Sequence, residues 1–171
     1  MRGPLATVAL GYAYPDDQSL GRLDEAIAAL PSGPVREQME RFLSALSRLD
    51  RGAWEELHTR TLDLSPLFVP YVGHLIWGES YRRGAFMAEL RGQQRDVGVD
   101  PEGELPDHIA PILLYLDRVA DPIPELAESL PKAVAAMLED LRDSEPESPY
   151  RHLLAATAAA VDARLAEGAD R

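Results

Sequence analysis

Apolar residues recur along this chain at the three- and four-residue spacing of amphipathic helices. One run steps by three, four and three before Pro31 stops it, and it comprises Leu20, Leu23, Ile27 and Leu30. The next run follows Pro34, a residue suited to a first helical position, and Gly52 is expected just past its end. Its apolar positions are Val35, Met39, Phe42, Leu46 and Leu49. Both runs predict helices with one buried face.

The same period predicts helices along the rest of the chain. An apolar first helix ends before Pro15, and another runs from about Ser80 to Val97, closed by Gly98. A short helix is predicted around residues 54–61. Two apolar stripes predict further helices at 109–119 and 134–141, and the last helix begins at Ser148-Pro149. The inward positions of these helices are Trp54, Leu57, Thr61, Phe86, Leu90, Val97, Ile109, Leu113, Leu116, Val119, Val134, Leu138, Leu141, Tyr150, Leu154, Val161 and Leu165.

Signals for strands are missing from the sequence. The chain contains no Asn and no Asp-Gly pair, and no segment alternates apolar and polar residues over the length of a strand. A chain of 171 residues is long enough for one domain that buries roughly 70% of its unfolded surface. We therefore predict an all-α, single-domain bundle over residues 1–171, with about eight helices joined by Pro- and Gly-containing loops.

Composition narrows the chemistry that is available. There is no cysteine, and the four histidines include no pair at the i, i+4 spacing of a helical zinc site, so we predict no metal site. The lack of disulfides suits the cytoplasm. The most apolar stretch, Leu67 to Trp77, is interrupted by Pro70 and Gly73 and is too short to cross a membrane.

The net charge of −12 argues against nucleic acid as a partner, because a phosphate backbone would be repelled. A basic peptide would be attracted, although the same charge also confers simple solubility. No phosphate-binding loop, nucleophile elbow or zinc-protease motif occurs, so nothing in the sequence supports an enzyme. The longest irregular stretch, Gly98 to Pro106, is either an ordered functional loop or an ordinary connector.

Two further stretches carry information about family. Residues 78–87 read GESYRRGAFM, and residues 104–109 read ELPDHI, followed by Pro111 and Tyr115-Leu116. The first resembles the G-E-S-x-x-R-G segment of the NarJ family, the delta-subunit chaperones of nitrate reductase. The second is similar to the E-L-P-D-H segment that these proteins share, in looser form, with other molybdoenzyme maturation chaperones. Tyr14-Pro15 also resembles the family's opening, so the resemblance covers most of residues 5–120.

The chain departs from the family pattern just before the first motif. The family carries a Glu-His-x-His run there, whereas this chain reads His74-Leu75-Ile76-Trp77, so no role of those histidines is carried over. We also expect no counterpart of the long C-terminal extension that many nitrate reductase chaperones carry. The expected client is therefore a nitrate reductase or a related molybdoreductase.

The resemblance implies a cytoplasmic chaperone, not an enzyme, that needs no cofactor of its own and acts as a monomer or homodimer. Such proteins bind the N-terminal segment of the catalytic subunit and hold the apoenzyme until the molybdenum cofactor is inserted. An acidic helical protein suits a peptide with basic residues and an apolar helical stretch. The predicted partner-binding residues come from the two motifs: Gly78, Glu79, Arg83, Glu104, Leu105, Pro106, Asp107, His108 and Tyr115.

Each motif also has a purely structural interpretation. Asp107 and Ser80 can cap the helices that follow them, and Arg83 can pair with Glu79 at i, i+4. Gly78 and Gly84 can serve tight turns or close helix approach. An unperturbed His108 would titrate near neutrality and make binding pH-sensitive. The alternatives for function are a helical interaction scaffold without a molybdoenzyme client, and a small enzyme that uses His108 and nearby carboxylates.

Overall fold

Nine α-helices and one π-helical turn follow one another in the computed structural model, which describes residues 2–64 and 66–169. The α-helices are α1 Pro4–Leu10, α2 Ser19–Ala28, α3 Pro34–Leu46, α4 Arg51–His58, α5 Val72–Trp77, α6 Tyr81–Asp96, α7 Ile109–Arg118, α8 Pro124–Ser144 and α9 Tyr150–Ala169. The π-helical turn, Thr59–Asp63, continues α4. Within these residues the only β-type pairing is a single bridge between Tyr71 and His108. The predicted all-α class is confirmed.

One hydrophobic core draws side chains from every α-helix. Helix α9 packs against α3, α8 and α1, while α1 also packs along α7. Phe42 of α3 meets Tyr150 of α9 edge to face, with ring centroids 5.3 Å apart, and both side chains are fully buried. Helices α1, α3, α8 and α9 thus form one packed body, with α7 held against α1, α5 against α8, and α6 against α5 and α7.

Two boundaries differ from those that the apolar period predicted. Helix α3 ends at Leu46, and Gly52 lies in the first turn of α4 instead of closing α3. The reason is Asp50, whose side chain accepts a hydrogen bond of 2.8 Å from the Ala53 amide and begins a new helix. Helix α8 begins earlier than its apolar stripe indicated, at Pro124, and it continues through Pro131.

The π-helical turn is a feature that the sequence did not predict. The Leu64 amide donates to the Thr59 carbonyl five residues earlier, over 3.1 Å. The buried Thr61 hydroxyl donates to the Leu57 carbonyl over 2.6 Å. Such turns occur frequently at functional sites because they redirect side chains at the end of a helix. Here the turn places His58 and Asp63 on one side of the chain. Among the described helices, none is long and apolar enough to span a bilayer.

Candidate functional site

The two motif stretches meet in a buried ion pair. Arg83 of α6 donates from Nε to Oδ2 of Asp107 over 2.9 Å, and its Nη2 lies 3.4 Å from Oδ1. The Asp107 side chain is fully buried and that of Arg83 is 12% exposed. Residues 24 positions apart in sequence are therefore joined at the centre of the predicted site.

Helix α5 shapes the space in which this pair forms. The Asp107 carbonyl accepts from the Val72 amide over 2.8 Å, and the Ile109 amide donates to the Pro70 carbonyl over 2.8 Å. These bonds lie just before Gly73, where an added Cβ would lie 2.6 Å from Oδ2 of Asp107 and 3.3 Å from the Arg83 side chain. Only glycine at this position lets the backbone of α5 approach the ion pair so closely.

The segment between α6 and α7 is fixed at its C-terminal end and by an internal turn. The buried Gln94 side chain of α6 donates to the Pro106 carbonyl over 2.9 Å. In the middle, the Glu104 amide donates to the Pro101 carbonyl over 3.1 Å, and Glu102 and Gly103 both have positive φ. This is the pattern of a tight turn with two left-handed central residues. The segment from Gly98 to Pro106 is thus held by specific hydrogen bonds.

His108, not Asp107, caps helix α7. Its Nδ1 accepts from the Ala110 amide over 3.2 Å, whereas the Asp107 carboxylate is taken up by Arg83. The prediction that Asp107 caps this helix is wrong, because a residue one position closer to α7 fills that role. In the neutral ring, Nε2 of His108 then carries the proton. Burial lowers the pKa of His108, and the charges of Glu104 and Asp107 offset this only in part, so the ring is not at its ordinary near-neutral pKa.

Tyr71 connects this pair to the surface. Its hydroxyl donates to Oε2 of Glu104 over 3.1 Å, and the Arg83 guanidinium lies 5.8 Å from its ring centroid. Burial, followed by the Glu104 charge, raises the pKa of Tyr71 to about 12, so the hydroxyl stays protonated and acts as a donor. The ring of His108 lies edge-on to Tyr71 at 5.4 Å. Glu104 itself is exposed.

The first motif presents an exposed surface beside Arg83. Glu79 is exposed, and among the described residues it does not pair with Arg83, so the expected i, i+4 pair is wrong. Ser80 stands at the N-cap of α6, but its side chain makes no capping bond. Gly78 has φ of 62° where α5 ends, as a tight turn requires. Gly84 is exposed, and an added Cβ there would meet nothing within 4 Å, so no close helix approach explains it.

The remaining predicted residues divide between surface and core. Leu105 is 44% exposed, whereas Pro106 is buried. Tyr115 is fully buried, donates its hydroxyl to Gln93, and accepts from the Ile123 amide over 3.2 Å. Tyr115 therefore ties α7 to α6 and to the start of α8. Any effect of this residue on a partner is transmitted through the fold.

Sequence reasoning missed a second group of polar side chains beside this site. His58 is buried, and its Nε2 lies 3.1 Å from the Tyr12 carbonyl, while its Nδ1 lies 3.8 Å from Oδ2 of Asp63. The exposed ring of Tyr14 meets the His58 ring edge-on at 5.2 Å. The negative charges of Asp63 and Glu104 both act to raise the pKa of Tyr71 and of His108. No sequence signal marks the group, because its members come from two segments that are more than 40 residues apart.

An apolar groove of about 590 Å³ lies elsewhere on the molecule. It is formed by the start of α1, the α2–α3 loop, the end of α7 and the second half of α9, and its lining includes Leu30, Val35, Val119, Ala163 and Glu167. The ten residues of α7 separate it by roughly 15 Å from the ion pair at the other end of that helix. None of the predicted partner-binding residues lines this groove.

Comparison with known proteins does not extend the resemblance. No model of a known protein family matches the chain, and no curated protein matches it either.

Proposed function

We propose that this protein is a NarJ-type assembly chaperone that binds the N-terminal segment of a molybdoreductase catalytic subunit. In this proposal it holds the apoenzyme in the cytoplasm until the molybdenum cofactor is inserted. The observation that carries the proposal is the ion pair between Arg83 and Asp107, which joins the two family-like stretches in one place. The two stretches then act as one site.

The buried and exposed residues of the motifs have different tasks in this proposal. Asp107 and His108 are buried and the Arg83 side chain is 12% exposed, and together these residues fix the positions of α5, α6 and α7. Their exposed neighbours form the contact surface, which we call the motif face: Glu79, Tyr81, Gly84, Glu104 and Leu105. Tyr81 is 93% exposed, so its ring is available for contact with a partner.

Charge favours the same kind of ligand. The net charge of −12 attracts basic residues, and Glu79 and Glu104 place part of that charge on the motif face. Tyr81, Leu105 and the bare backbone at Gly84 offer apolar contact beside those carboxylates. A peptide with basic residues followed by an apolar helical stretch complements both features.

Co-expression with a molybdoreductase catalytic subunit tests this proposal. We expect the tagged chain to capture the full-length subunit but not a subunit that lacks its N-terminal segment. We also expect the molybdenum content of the subunit to fall when the chaperone is left out. Equal capture of both forms, or a molybdenum content that does not depend on the chaperone, would contradict the proposal. Stable capture of partners that hold no molybdenum cofactor would favour the interaction scaffold instead.

A further inference from the structure

Few large apolar residues of this protein are exposed, and they lie on one side of it. Among the described residues, four large apolar side chains are at least 44% exposed. Two of them, Tyr81 and Leu105, belong to the motif face. The other two are Tyr14, which is 55% exposed, and Leu64, which is 75% exposed. Single exposed apolar residues scattered over a surface need no explanation, whereas a group of them on one side marks a contact surface.

A row of ring contacts connects Tyr14 to the motif face. The Tyr14 ring meets the His58 ring edge-on, with centroids 5.2 Å apart. His58 is close enough to His108 for its charge to lower the pKa of that ring. The His108 ring in turn lies edge-on to Tyr71 at 5.4 Å, and the Tyr71 hydroxyl donates to Glu104 over 3.1 Å. Tyr14 therefore lies on the same side of the molecule as the motif face, a few side chains away.

The π-helical turn places Leu64 beside this row of rings. Asp63 is the last residue of the turn, and its Oδ2 lies 3.8 Å from Nδ1 of His58. The amide of Leu64 donates to the Thr59 carbonyl over 3.1 Å, so the backbone that carries this exposed leucine is fixed. An apolar side chain on fixed backbone costs less to order when a partner binds. We call Tyr14, Asp63 and Leu64 the Tyr14 patch.

Charge decides which kind of partner fits this side of the molecule. Asp63 and Glu104 are both exposed, and among the described residues neither forms an ion pair with an Arg or Lys side chain. The basic residue of the π-helical turn, Arg60, is paired with Glu145 over 2.9 Å. A second copy that docked through the same surface would bring like carboxylates into one interface, which is unfavourable. A partner with basic residues meets the opposite charge instead.

We infer that the Tyr14 patch is a second half of the partner-binding surface, and that it takes a helical peptide with aliphatic and basic residues. Tyr14 and Leu64 contact the aliphatic side chains of the peptide, while Asp63 and Glu104 attract its basic residues from either half of the surface. The inference rests on the proposed function, because it extends the surface to which the client binds. Its chemistry can nevertheless be tested without any client.

The probe is a helical peptide of roughly 18 residues, about five turns, with leucines on one face and lysines on the other. It is added to the isotope-labelled full chain, and the backbone amides are followed by NMR. We expect saturable shifts of the amides of Tyr14, Leu64 and Leu105, whereas the amide of Val119, in the remote groove, should not shift. The same peptide with glutamate in place of lysine should not bind, because its charge has the same sign as that of the surface.

Two substitutions in the patch separate its apolar and charged contributions. Leu64→Ser should weaken binding of the leucine–lysine peptide by about fivefold and leave urea unfolding unchanged, because Leu64 is 75% exposed. Asp63→Asn should weaken binding by about threefold. The matched control is Asp162→Asn, an exposed position on α9. Tyr150 begins α9 and meets His58 at 6.4 Å, and Asp162 lies roughly 18 Å further along the helix, so this change should have no effect.

Three outcomes would overturn the inference. One is that the leucine–lysine peptide does not bind, or that it shifts amides of the motif face but not those of Tyr14 and Leu64. A second is that Leu64→Ser and Asp63→Asn bind this peptide as tightly as Asp162→Asn does. The third is a dimer of the wild type in sedimentation experiments that Leu64→Ser converts to a monomer, since the patch would then belong to a second copy of the chain.

The two proposals fail in different ways. A molybdoreductase N-terminal peptide that binds the wild type and Leu64→Ser equally well removes the Tyr14 patch but keeps the chaperone. A leucine–lysine peptide that binds at the patch as expected, while no molybdoreductase peptide binds, removes the chaperone proposal but keeps the patch.

Discussion

Replacing Arg83 with methionine is expected to lower the free energy of unfolding by about 3–5 kcal/mol, the usual cost of leaving one partner of a buried ion pair alone. Asp107 is fully buried, and its carboxylate is paired with the guanidinium of Arg83. Once Arg83 is removed, that carboxylate must either remain charged without compensation or take up a proton. Both cost free energy in the folded state.

Replacing the other partner, Asp107, with asparagine should lower the free energy of unfolding by less. Asp107→Asn keeps the shape and removes the charge, and the Arg83 side chain, 12% exposed, retains some access to water. Urea unfolding at neutral pH, followed by circular dichroism, measures both variants. If Arg83→Met costs less than Asp107→Asn, or less than about 1 kcal/mol, the pair does not hold the two motifs together in the way described.

The second large effect is expected at Gly73. Gly73→Ala should destabilise the fold by about 1–3 kcal/mol, because its Cβ would press against a carboxylate and an arginine that cannot both move away. The clash is with Oδ2 of Asp107 at 2.6 Å, an atom held by the ion pair, and the Arg83 and Phe86 side chains lie at 3.3 Å on the other sides.

Gly84 supplies the control for that substitution. It lies inside α6, and an added Cβ would meet nothing within 4 Å. Gly84→Ala should therefore stabilise the protein by about 0.5–1 kcal/mol through the better helix propensity of alanine. Urea unfolding of the two variants should give changes of opposite sign. A stabilising Gly73→Ala would show that α5 does not lie against the ion pair.

The apolar period predicted eight of the nine described α-helices, because each of these buries apolar residues in the same core, but it did not predict the short helix α5. Pro34 begins α3, and α6 ends two residues before Gly98, close to the predicted positions. The predicted boundaries were wrong where a local polar contact, and not the apolar spacing, decided where a helix begins. At Asp50, for example, the capping bond begins α4 just before Gly52. Turn chemistry of this kind depends on a few atoms and leaves little trace in hydrophobic patterning.

The site was harder to predict because its central contacts are long-range. Sequence spacing offered Glu79 as the partner of Arg83, since residues at i, i+4 are neighbours on any helix. The actual partner, Asp107, becomes available only when the Val72 amide and the Pro70 carbonyl hold the loop before α7 against α5. The grouping of His58 with Asp63 could not be predicted from the sequence either, because it depends on the π-helical turn that positions Asp63.

The measurement that tests the chaperone proposal most directly is calorimetric titration of the folded chain with the N-terminal peptide of a molybdoreductase catalytic subunit. We expect binding that weakens with added salt while an apolar part survives, because screening removes only the exposed charge contribution. Glu104→Lys, on the motif face, should weaken it further. Glu167→Lys, in the remote groove, makes the same change of net charge, from −12 to −10, and should leave binding of the peptide unchanged. Equal loss in both variants, or no binding by the intact protein to any such peptide, would contradict the proposal.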